Sequence, residues 1–253
     1  ALHDVGFALR PGRTLGVVGE SGSGKSTLAR CVMGLETVSS GVVRIDGTDV
    51  RQLDKAARRR HATRLQMVFQ DPNRSLDPRR TVLQSVVEGA LNFGVDKRTA
   101  AEKAAALIET VGLPRASLDR YPHQFSGGQR QRIAIARALM MDPEVIVADE
   151  AVSALDVSVQ AQVLDLLMSL QARFGLAILF ITHDLRVAAR LCDDVLVMRR
   201  GVAVESGPAE RVLTRPADDY TRRLLDAAPG RSLDHAARLR AAEASTPAAP
   251  PGS

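Results

Sequence analysis

A glycine-rich loop near the start of the chain carries the residue types that bind phosphate. The run "GESGSGKST", Gly19 to Thr27, follows the apolar run Leu15 to Val18 and precedes a helical pattern. Its spacing, G-x-x-x-x-G-K-S, is typical of a loop whose backbone surrounds phosphate oxygens, with Lys25 reaching the terminal phosphates and the Ser26 hydroxyl able to bind Mg²⁺. The expected phosphate and metal contacts are Gly19, Ser21, Gly22, Ser23, Gly24, Lys25, Ser26 and Thr27.

Two consecutive carboxylates follow a second apolar run. In "EVIVADEAVSALD", the run Val145 to Ala148 predicts a buried strand, and Asp149 and Glu150 come directly after it. Because side chains alternate along a strand, the two should take different roles. We expect Asp149 to support the Mg²⁺ shell and Glu150 to act as general base on an attacking water. A strand end with "DE" is often only a polar terminus, but the phosphate loop favours the catalytic interpretation.

Two further polar residues follow apolar runs. His183, in "FITHDL", could hydrogen-bond a terminal phosphate, or it could be structural. Gln70, in "QMVFQDP", could orient water and metal, or its amide could cap the end of its strand. Ligands of parallel sheets bind at the carboxyl ends of the strands, so convergence of these residues at one edge favours a catalytic role for both.

A third loop has no obvious catalytic group. In "FSGGQRQRIAIARAL", Phe125 to Leu139, a Ser-Gly-Gly turn opens a basic helix with an apolar stripe. The first amides of a helix lack intrahelical partners and the helix dipole is positive there, so this start could bind an anion. The alternative is that Ser126 only caps its own helix.

The elements that must position these residues follow an α/β pattern. Apolar β-rich runs alternate with helical patterns, which predicts a mostly parallel sheet covered by helices. We expect a helical subdomain over about residues 71–140 and a strand, turn and strand in "VLVMRRGVAVESG". One domain should cover residues 1–228, and the Ala/Pro-rich residues 229–253 should be disordered. The predicted sheet strands are Leu15 to Val18, Leu65 to Phe69, Val145 to Ala148 and Ile178 to Ile181.

Composition narrows the functional classes. The 253-residue chain has a net charge of +5, but its basic residues are dispersed and only 3% of residues are aromatic, so we expect no nucleic-acid partner. The dense basic run, Lys55 to Arg64, is typical of a solvated helix face. No run approaches the roughly 18 apolar residues of a membrane helix. The only cysteines, Cys31 and Cys192, lack the spacing of a disulfide framework or zinc site.

In their order along the chain, these motifs together with Asp156 resemble those of an ATP-binding cassette (ABC) ATPase, over roughly residues 1–228. The resemblance implies the fold of a P-loop NTPase, with a mostly parallel core sheet, an antiparallel β part and a helical subdomain. It also implies ATP and Mg²⁺ as cofactors and a head-to-tail dimer with a second ABC ATPase domain, identical or different. Ser126, Gly127, Gly128 and Gln129 would cap an ATP held by the partner, and Asp156 would link the two sites.

The segments "VFQDPNRSLDPRRTV" and "SALDVSVQAQVLDLL" resemble the ATPases of dipeptide and oligopeptide importers. That resemblance implies a peripheral protein at the cytoplasmic face of the membrane, bound to transmembrane permease subunits and served indirectly by an extracytoplasmic solute-binding protein. Asp71 to Val87 and Arg120 to Phe125 would contact the permease. Other solutes, such as nickel, glutathione or a sugar, stay open as alternatives, as does a DNA-handling ABC ATPase. A nucleotide sensor without turnover is disfavoured by the presence of Glu150 and His183.

The chain also departs from the family pattern. Asp218 and Asp219 precede Tyr220 where relatives usually have His-Pro, and Ala151 replaces the usual proline after the catalytic glutamate. The cysteine-bearing tail of some relatives is missing, so we expect no iron-sulfur cluster. In this family the strand that carries the adenine-stacking aromatic precedes the segment that resembles "ALHDVGFALRPG", and we expect that strand to be missing from this sequence. Because Ala1 is not an initiator Met, the alternative that the sequence is the second half of a fused two-cassette protein stays open.

Overall fold

A computed structural model describes residues 2–227 of the protein. The predicted disordered tail, residues 229–253, lies outside the described residues. The strands are β1 Thr14–Val18, β2 Arg44–Ile45, β3 Thr48–Asp49, β4 Leu65–Val68, β5 Val145–Asp149, β6 Ala177–Thr182, β7 Asp194–Arg199 and β8 Val202–Pro208. The α-helices are α1 Lys25–Val32, α2 Lys55–Arg64, α3 Pro72–Ser75, α4 Val82–Asn92, α5 Lys97–Thr110, α6 Gly127–Leu139, α7 Val157–Phe174, α8 Leu185–Leu191, α9 Ala209–Thr214 and α10 Asp219–Asp226.

The core is a six-stranded sheet in the order β4-β5-β6-β1-β7-β8. All neighbouring pairs are parallel except β7 and β8, which form an antiparallel hairpin. The register places Leu15 of β1 and Val147 of β5 on either side of Leu179 in β6. The predicted α/β fold with a mostly parallel sheet and an antiparallel part is therefore confirmed.

Both faces of this sheet are buried, and the alternation of side chains along each strand explains why. In β6, Leu179 and Ile181 pack on one face with Leu28 of α1, whereas Ile178 and Phe180 belong to the core on the opposite face, with residues of helices α4 to α9. A strand covered on both faces must be apolar at consecutive positions rather than at every second one. The continuous apolar runs of the sequence arise from this two-sided burial.

Strand ends and short elements differ from the sequence-based predictions. The strand predicted to end at Phe69 ends at Val68, and Phe69 itself is exposed. The strand predicted to end at Ala148 includes Asp149 because its pairing with Ile181 continues the ladder. The two-residue strands β2 and β3 were not predicted, since so few residues carry no periodic pattern.

Residues 71–140 are helical and pack around their own apolar side chains, among them the buried residues Val86, Ile108 and Ile133. Thr81 begins α4 with a capping box, in which its side chain accepts from the Gln84 amide and the Gln84 side chain accepts from the Thr81 amide. Within residues 2–227, every helix is too short or too polar to traverse a bilayer. The division into an ATPase domain and a tail stays a prediction.

The parallel strands bring the predicted site residues to one edge of the sheet. Strands β1, β4, β5 and β6 run in the same direction, so their carboxyl ends lie side by side. The phosphate loop follows β1, Gln70 follows β4, Glu150 follows β5 and His183 follows β6. This is the crevice where parallel α/β sheets bind their ligands.

Candidate functional site

The phosphate loop is shaped by glycines at positions that other residues would strain. Gly22 has φ 79° and Gly24 has φ 106°, and both values lie in the left-handed region. A Cβ on Gly19 would lie 2.2 Å from the Met198 carbonyl oxygen of β7, so the start of the loop tolerates no side chain. Helix α1 begins after Gly24 without a side-chain cap. Its first amides are therefore directed to the site where an anion would bind.

Lys25, the first residue of α1, is folded into the loop. Its Nζ donates to the carbonyl oxygens of Gly19 and Glu20 at 2.9 and 2.8 Å. The side chain is buried, and this burial lowers the pKa of Lys25 against the opposing effect of Glu150 and Asp149. The ammonium is thus held within the phosphate loop by carbonyl groups that it can exchange for phosphate oxygens.

Ser26 and Asp149 form the oxygen pair predicted to support a metal ion. The Ser26 hydroxyl donates to Asp149 Oδ1 at 3.3 Å, across from α1 to the end of β5. Burial raises the pKa of the Asp149 carboxyl, and the hydrogen bond from Ser26 opposes part of that rise. One hydroxyl and one carboxylate fit Mg²⁺, which usually keeps several waters and takes few protein ligands.

Glu150 and His183 lie together beside that pair. Glu150 Oε1 is 3.3 Å from His183 Nδ1, and the histidine side chain is more exposed than the glutamate. Glu150 has φ 49°, a left-handed conformation that is uncommon for a residue with a Cβ. Its amide still donates to the Ile181 carbonyl oxygen at 3.0 Å. The turn therefore separates the directions of the two carboxylates while β6 holds the backbone.

Gln70 connects to Glu150 through a residue that the sequence did not point to. The Gln70 Nε2 donates to Ser153 Oγ at 3.1 Å, and Ser153 Oγ donates to the Glu150 carbonyl oxygen at 3.0 Å. Gln131 of α6 is fully buried and its Nε2 donates to the Phe69 carbonyl oxygen at 3.4 Å, just before Gln70. The end of β4 is thus tied both to the carboxylate turn and to α6.

The Ser-Gly-Gly-Gln loop closes on its own helix. Ser126 Oγ accepts from the Gln129 amide at 3.3 Å, and Gln129 Oε1 accepts from the Ser126 amide at 3.0 Å, which makes a capping box at the start of α6. Ser126, Gly127 and Gln129 are exposed, whereas Gly128 is buried. The cap that we weighed as an alternative is present, and the exposed side of the loop remains available to an external group.

Gly128 joins this loop to Asp156. A Cβ on Gly128 would lie 2.2 Å from Val159 Cγ1 of α7. The Val159 amide in turn donates to Asp156 Oδ1 at 3.0 Å, and this hydrogen bond lowers the pKa of Asp156. Asp156 is exposed and caps α7. The N-terminal ends of helices α6 and α7 are therefore in contact. The two groups predicted to face a partner, Ser126 to Gln129 and Asp156, lie at these neighbouring ends.

The structure brings most of the predicted site residues together. The phosphate loop contacts Asp149 through Ser26, and Glu150 contacts His183. Ser126 to Gln129 and Asp156 form a second group, which is exposed except at Gly128. Sequence reasoning missed Ser153 and Gln131. Both are polar residues within motifs that the sequence shows. Gln131 is identified as part of the site only by its burial, and Ser153 only by its hydrogen bonds to Gln70 and Glu150.

The comparisons with known proteins identify the family of this chain. The family described as "ABC transporter" matches residues 2–153. The chain is 50% identical over 230 residues to the glutathione import ATP-binding protein GsiA of Pectobacterium atrosepticum, covering 90% of this chain and 37% of that protein. It is 49% identical to the dipeptide transport ATP-binding protein DppF of Escherichia coli, covering 90% of this chain and 69% of that protein. It thus spans little more than a third of the first relative's length.

A solved structure extends the comparison to the fold. The dimeric ATP-binding cassette MJ0796, in a post-hydrolysis state bound to ADP and Pi, aligns with a TM-score of 0.70 and 29% identity. The alignment covers 82% of this chain and 90% of that one. The predicted family resemblance is confirmed by sequence and by fold. The chain belongs to the ABC transporter family, as one of its ATP-binding domains.

Proposed function

We propose that this chain hydrolyses ATP and thereby energises a membrane importer of dipeptides or oligopeptides. One observation carries the catalytic part of the proposal. At a single sheet edge, the phosphate loop, the Ser26–Asp149 pair at 3.3 Å and the Glu150–His183 pair at 3.3 Å stand side by side. These groups can hold a triphosphate, support a metal ion and polarise a water.

Each residue has a distinct part in the proposed reaction. Lys25 and the uncapped amides at the start of α1 hold the β- and γ-phosphates. Ser26 and Asp149, with support from Gln70, would hold Mg²⁺, which would supply neutralisation of the charge that develops on the phosphate oxygens. Glu150 orients and polarises the attacking water, and His183 donates a hydrogen bond to the γ-phosphate. Catalysis is then positioning and charge stabilisation.

The second, exposed group supports a head-to-tail dimer. Ser126 and Gly127 are exposed at the start of a helix, where the dipole is positive, and Gly128 follows them as a buried residue of the first turn. We propose that they cap the γ-phosphate of an ATP held by a second ABC ATPase domain, identical or different. Asp156, which adjoins them across Gly128 and Val159, links the two sites. ATP would close the dimer, and hydrolysis would open it.

The relatives support transport as the use of this cycle. One is named a dipeptide transport ATP-binding protein and another a glutathione import ATP-binding protein, each with about half of the aligned residues identical. The remaining partners in the proposal are permease subunits, docked on residues 71–87 and 120–125 from the cytoplasmic face, and a solute-binding protein beyond them. Glutathione, nickel or a sugar is the alternative cargo.

Glu150→Gln tests the catalytic proposal. The variant keeps the shape of the side chain but cannot accept a proton, so ATP hydrolysis should fall by roughly 10²- to 10⁴-fold. The Kd for Mg-ATP should stay within about threefold of wild type, since hydrogen bonds to the phosphates are unchanged. Size-exclusion chromatography with light scattering should show a dimer with Mg-ATP and a monomer with Mg-ADP.

Glu144→Gln is the matched control, because Glu144 precedes the same strand at its opposite end and pairs with Arg64 on the surface. It should hydrolyse ATP at the wild-type rate. Hydrolysis by Glu150→Gln at that rate would remove Glu150 from the mechanism. If Glu150→Gln binds Mg-ATP yet stays monomeric, the partner domain is a different chain, and mixing with candidate partners should then produce the dimer.

A further inference from the structure

The last described helix, α10, reaches back to the phosphate loop. Tyr220, its second residue, is 5% exposed. Its hydroxyl accepts a hydrogen bond from the Glu20 amide at 3.3 Å, although the two residues are 200 positions apart. Arg199, the last residue of β7, lies over the Tyr220 ring at 4.9 Å from its centre. A C-terminal side chain is therefore fixed against the loop that is proposed to hold ATP.

The start of α10 is fastened by a buried carboxylate. Glu205 of β8 has a side chain only 5% exposed, and its two oxygens accept from the Ala217 and Asp218 amides at 3.0 and 3.1 Å. Asp218 in turn caps α10 by accepting from the Tyr220 amide at 2.8 Å. The position of Tyr220 is therefore set by the core hairpin and not by the loop that it touches.

The same hairpin holds the far end of the loop. The Gly201 amide, in the turn between β7 and β8, donates to the Ser23 carbonyl oxygen at 2.8 Å. The phosphate loop is thus restrained at two points, at Glu20 by Tyr220 and at Ser23 by Gly201. Between these points lie Ser21 and Gly22, both exposed. Restraint of both flanks reduces the conformational freedom that the loop must lose on binding.

We propose that Tyr220 is a positioning residue for ATP binding: its hydroxyl fixes the Glu20 amide and thereby pre-organises the phosphate loop. This inference rests on the proposed function for its ligand, Mg-ATP. Tyr220 touches no reacting atom in this scheme. Its effect should therefore fall on nucleotide affinity and on KM, while kcat at saturating ATP, which depends on Glu150 and its neighbours, should be unchanged.

Tyr220→Phe removes only the hydroxyl and keeps the ring under Arg199. We expect the Kd and KM for Mg-ATP to rise about twofold to tenfold, the range of one net hydrogen bond. Without nucleotide, hydrogen exchange of the peptide that contains Glu20 should speed up by a similar factor, about twofold to tenfold. Arg199→Gln keeps the hydroxyl and loses the cation above the ring, so its increase in Kd should be smaller.

Thr214→Val is the control for loss of a hydroxyl, since Thr214 donates only within its own helix, to the Glu210 carbonyl oxygen. It should change neither Kd nor exchange at Glu20. If wild type binds Mg-ATP and Tyr220→Phe binds it equally, with unchanged exchange at Glu20, the positioning role is wrong. If wild type does not bind Mg-ATP, the proposed function fails instead, and exchange at Glu20 alone decides whether Tyr220 restrains the loop.

Discussion

Helices α1 and α6 both begin after a loop of serines and glycines, but their first turns are satisfied in different ways. Helix α1 starts behind Gly24 with no side-chain cap, and its Lys25 is folded back onto loop carbonyl groups. Helix α6 starts behind Ser126 with a complete capping box. The two glycine-rich loops are similar in composition, yet within residues 2–227 no side chain caps the start of α1, whereas Ser126 and Gln129 cap the start of α6.

In the proposed function, this difference distinguishes a site that binds the chain's own nucleotide from one that binds only the nucleotide of a partner. In that function, a ligand completes the start of α1, because its amides and the buried Lys25 would gain from an anion the partner that no side-chain cap supplies. The start of α6 is stable without any ligand, while the Ser126 hydroxyl still has a proton to donate. A chain that is separate from its partner during part of its cycle needs a surface helix start that is stable without a ligand, as in α6. The helix start within the cleft, that of α1, can instead depend on the ligand.

Lys25→Ala should have the largest effect on binding by the separate chain. It removes a charged donor that phosphate oxygens would use, so we expect the Kd for Mg-ATP to rise about 10- to 150-fold. Lys55→Ala is the matched control because Lys55 is also the first residue of a helix and is exposed. Titration with a fluorescent nucleotide would measure both. A Kd within twofold of wild type for Lys25→Ala would contradict the assignment of the phosphate site.

Gly128→Ala should be the most damaging small change at the start of α6. The new Cβ would meet Val159 Cγ1 at 2.2 Å, and overpacking of this kind costs about 1–3 kcal/mol of unfolding free energy. Gly127→Ala places its Cβ 3.4 Å from Leu155, an ordinary contact, so it should leave stability unchanged. Urea unfolding of the two variants would measure the difference, and equal stability would show that α6 and α7 are less tightly packed than described.

Ser126→Ala should separate capping from binding. Loss of the cap should lower stability by about 0.5–2 kcal/mol, while the Kd of a separate chain for Mg-ATP should not change. Hydrolysis that depends on dimer formation should fall about fivefold. Ser169→Ala, which removes a hydroxyl inside α7 that donates to the Leu166 carbonyl oxygen, is the control. A rise in the Kd of the separate chain would mean that α6 belongs to the same pocket as α1.

Glu205→Gln should produce the smallest change, and acid should erase it. Burial alone would raise the pKa of Glu205. The hydrogen bonds from the Ala217 and Asp218 amides outweigh that effect, so the pKa lies below its ordinary value of 4.5. A lowered folded-state pKa stabilises the protein above the unfolded value and stops doing so as the pH falls through the folded value. Wild type should exceed the variant by about 0.5–1.5 kcal/mol at pH 7. The gap in unfolding free energy should begin to shrink as the pH falls below 4.5 and should close as the pH falls through the lower folded-state pKa; a gap that does not shrink with acid would exclude the carboxylate as its source.

The parts of the fold that the sequence predicts are those with a strong repeated pattern. The apolar runs of β1, β5 and β6 are buried on both faces and could be recognised from composition alone. The phosphate loop could be recognised because its glycines serve a backbone shape that few other residues adopt. By contrast, β2 and β3 depend on a two-residue pairing that leaves no periodic trace.

The contacts around the site were less predictable than its residues. Asp149 and Glu150 are adjacent in sequence, but their separation into a Ser26 partner and a His183 partner depends on the left-handed backbone at Glu150, which a residue with a Cβ seldom adopts. The bond from Gln70 to Ser153 requires the folded turn after β5. The hydrogen bond between Tyr220 and Glu20 joins two residues that are 200 positions apart in the sequence. Each depends on tertiary geometry that local patterns do not encode.

The close approach at Gly128 also constrains how the chain can change over generations. Because a methyl group at this position would overlap Val159, the two positions cannot vary independently. A substitution at residue 128 would survive only beside a smaller residue at 159, and an enlargement at 159 would be rejected while glycine remains. The hydrogen bond from residue 159 to Asp156 comes from the backbone amide, so it constrains residue 159 only against proline. The close approach at Gly128 therefore links the sizes of residues 128 and 159, while the cap at Asp156 tolerates changes in either.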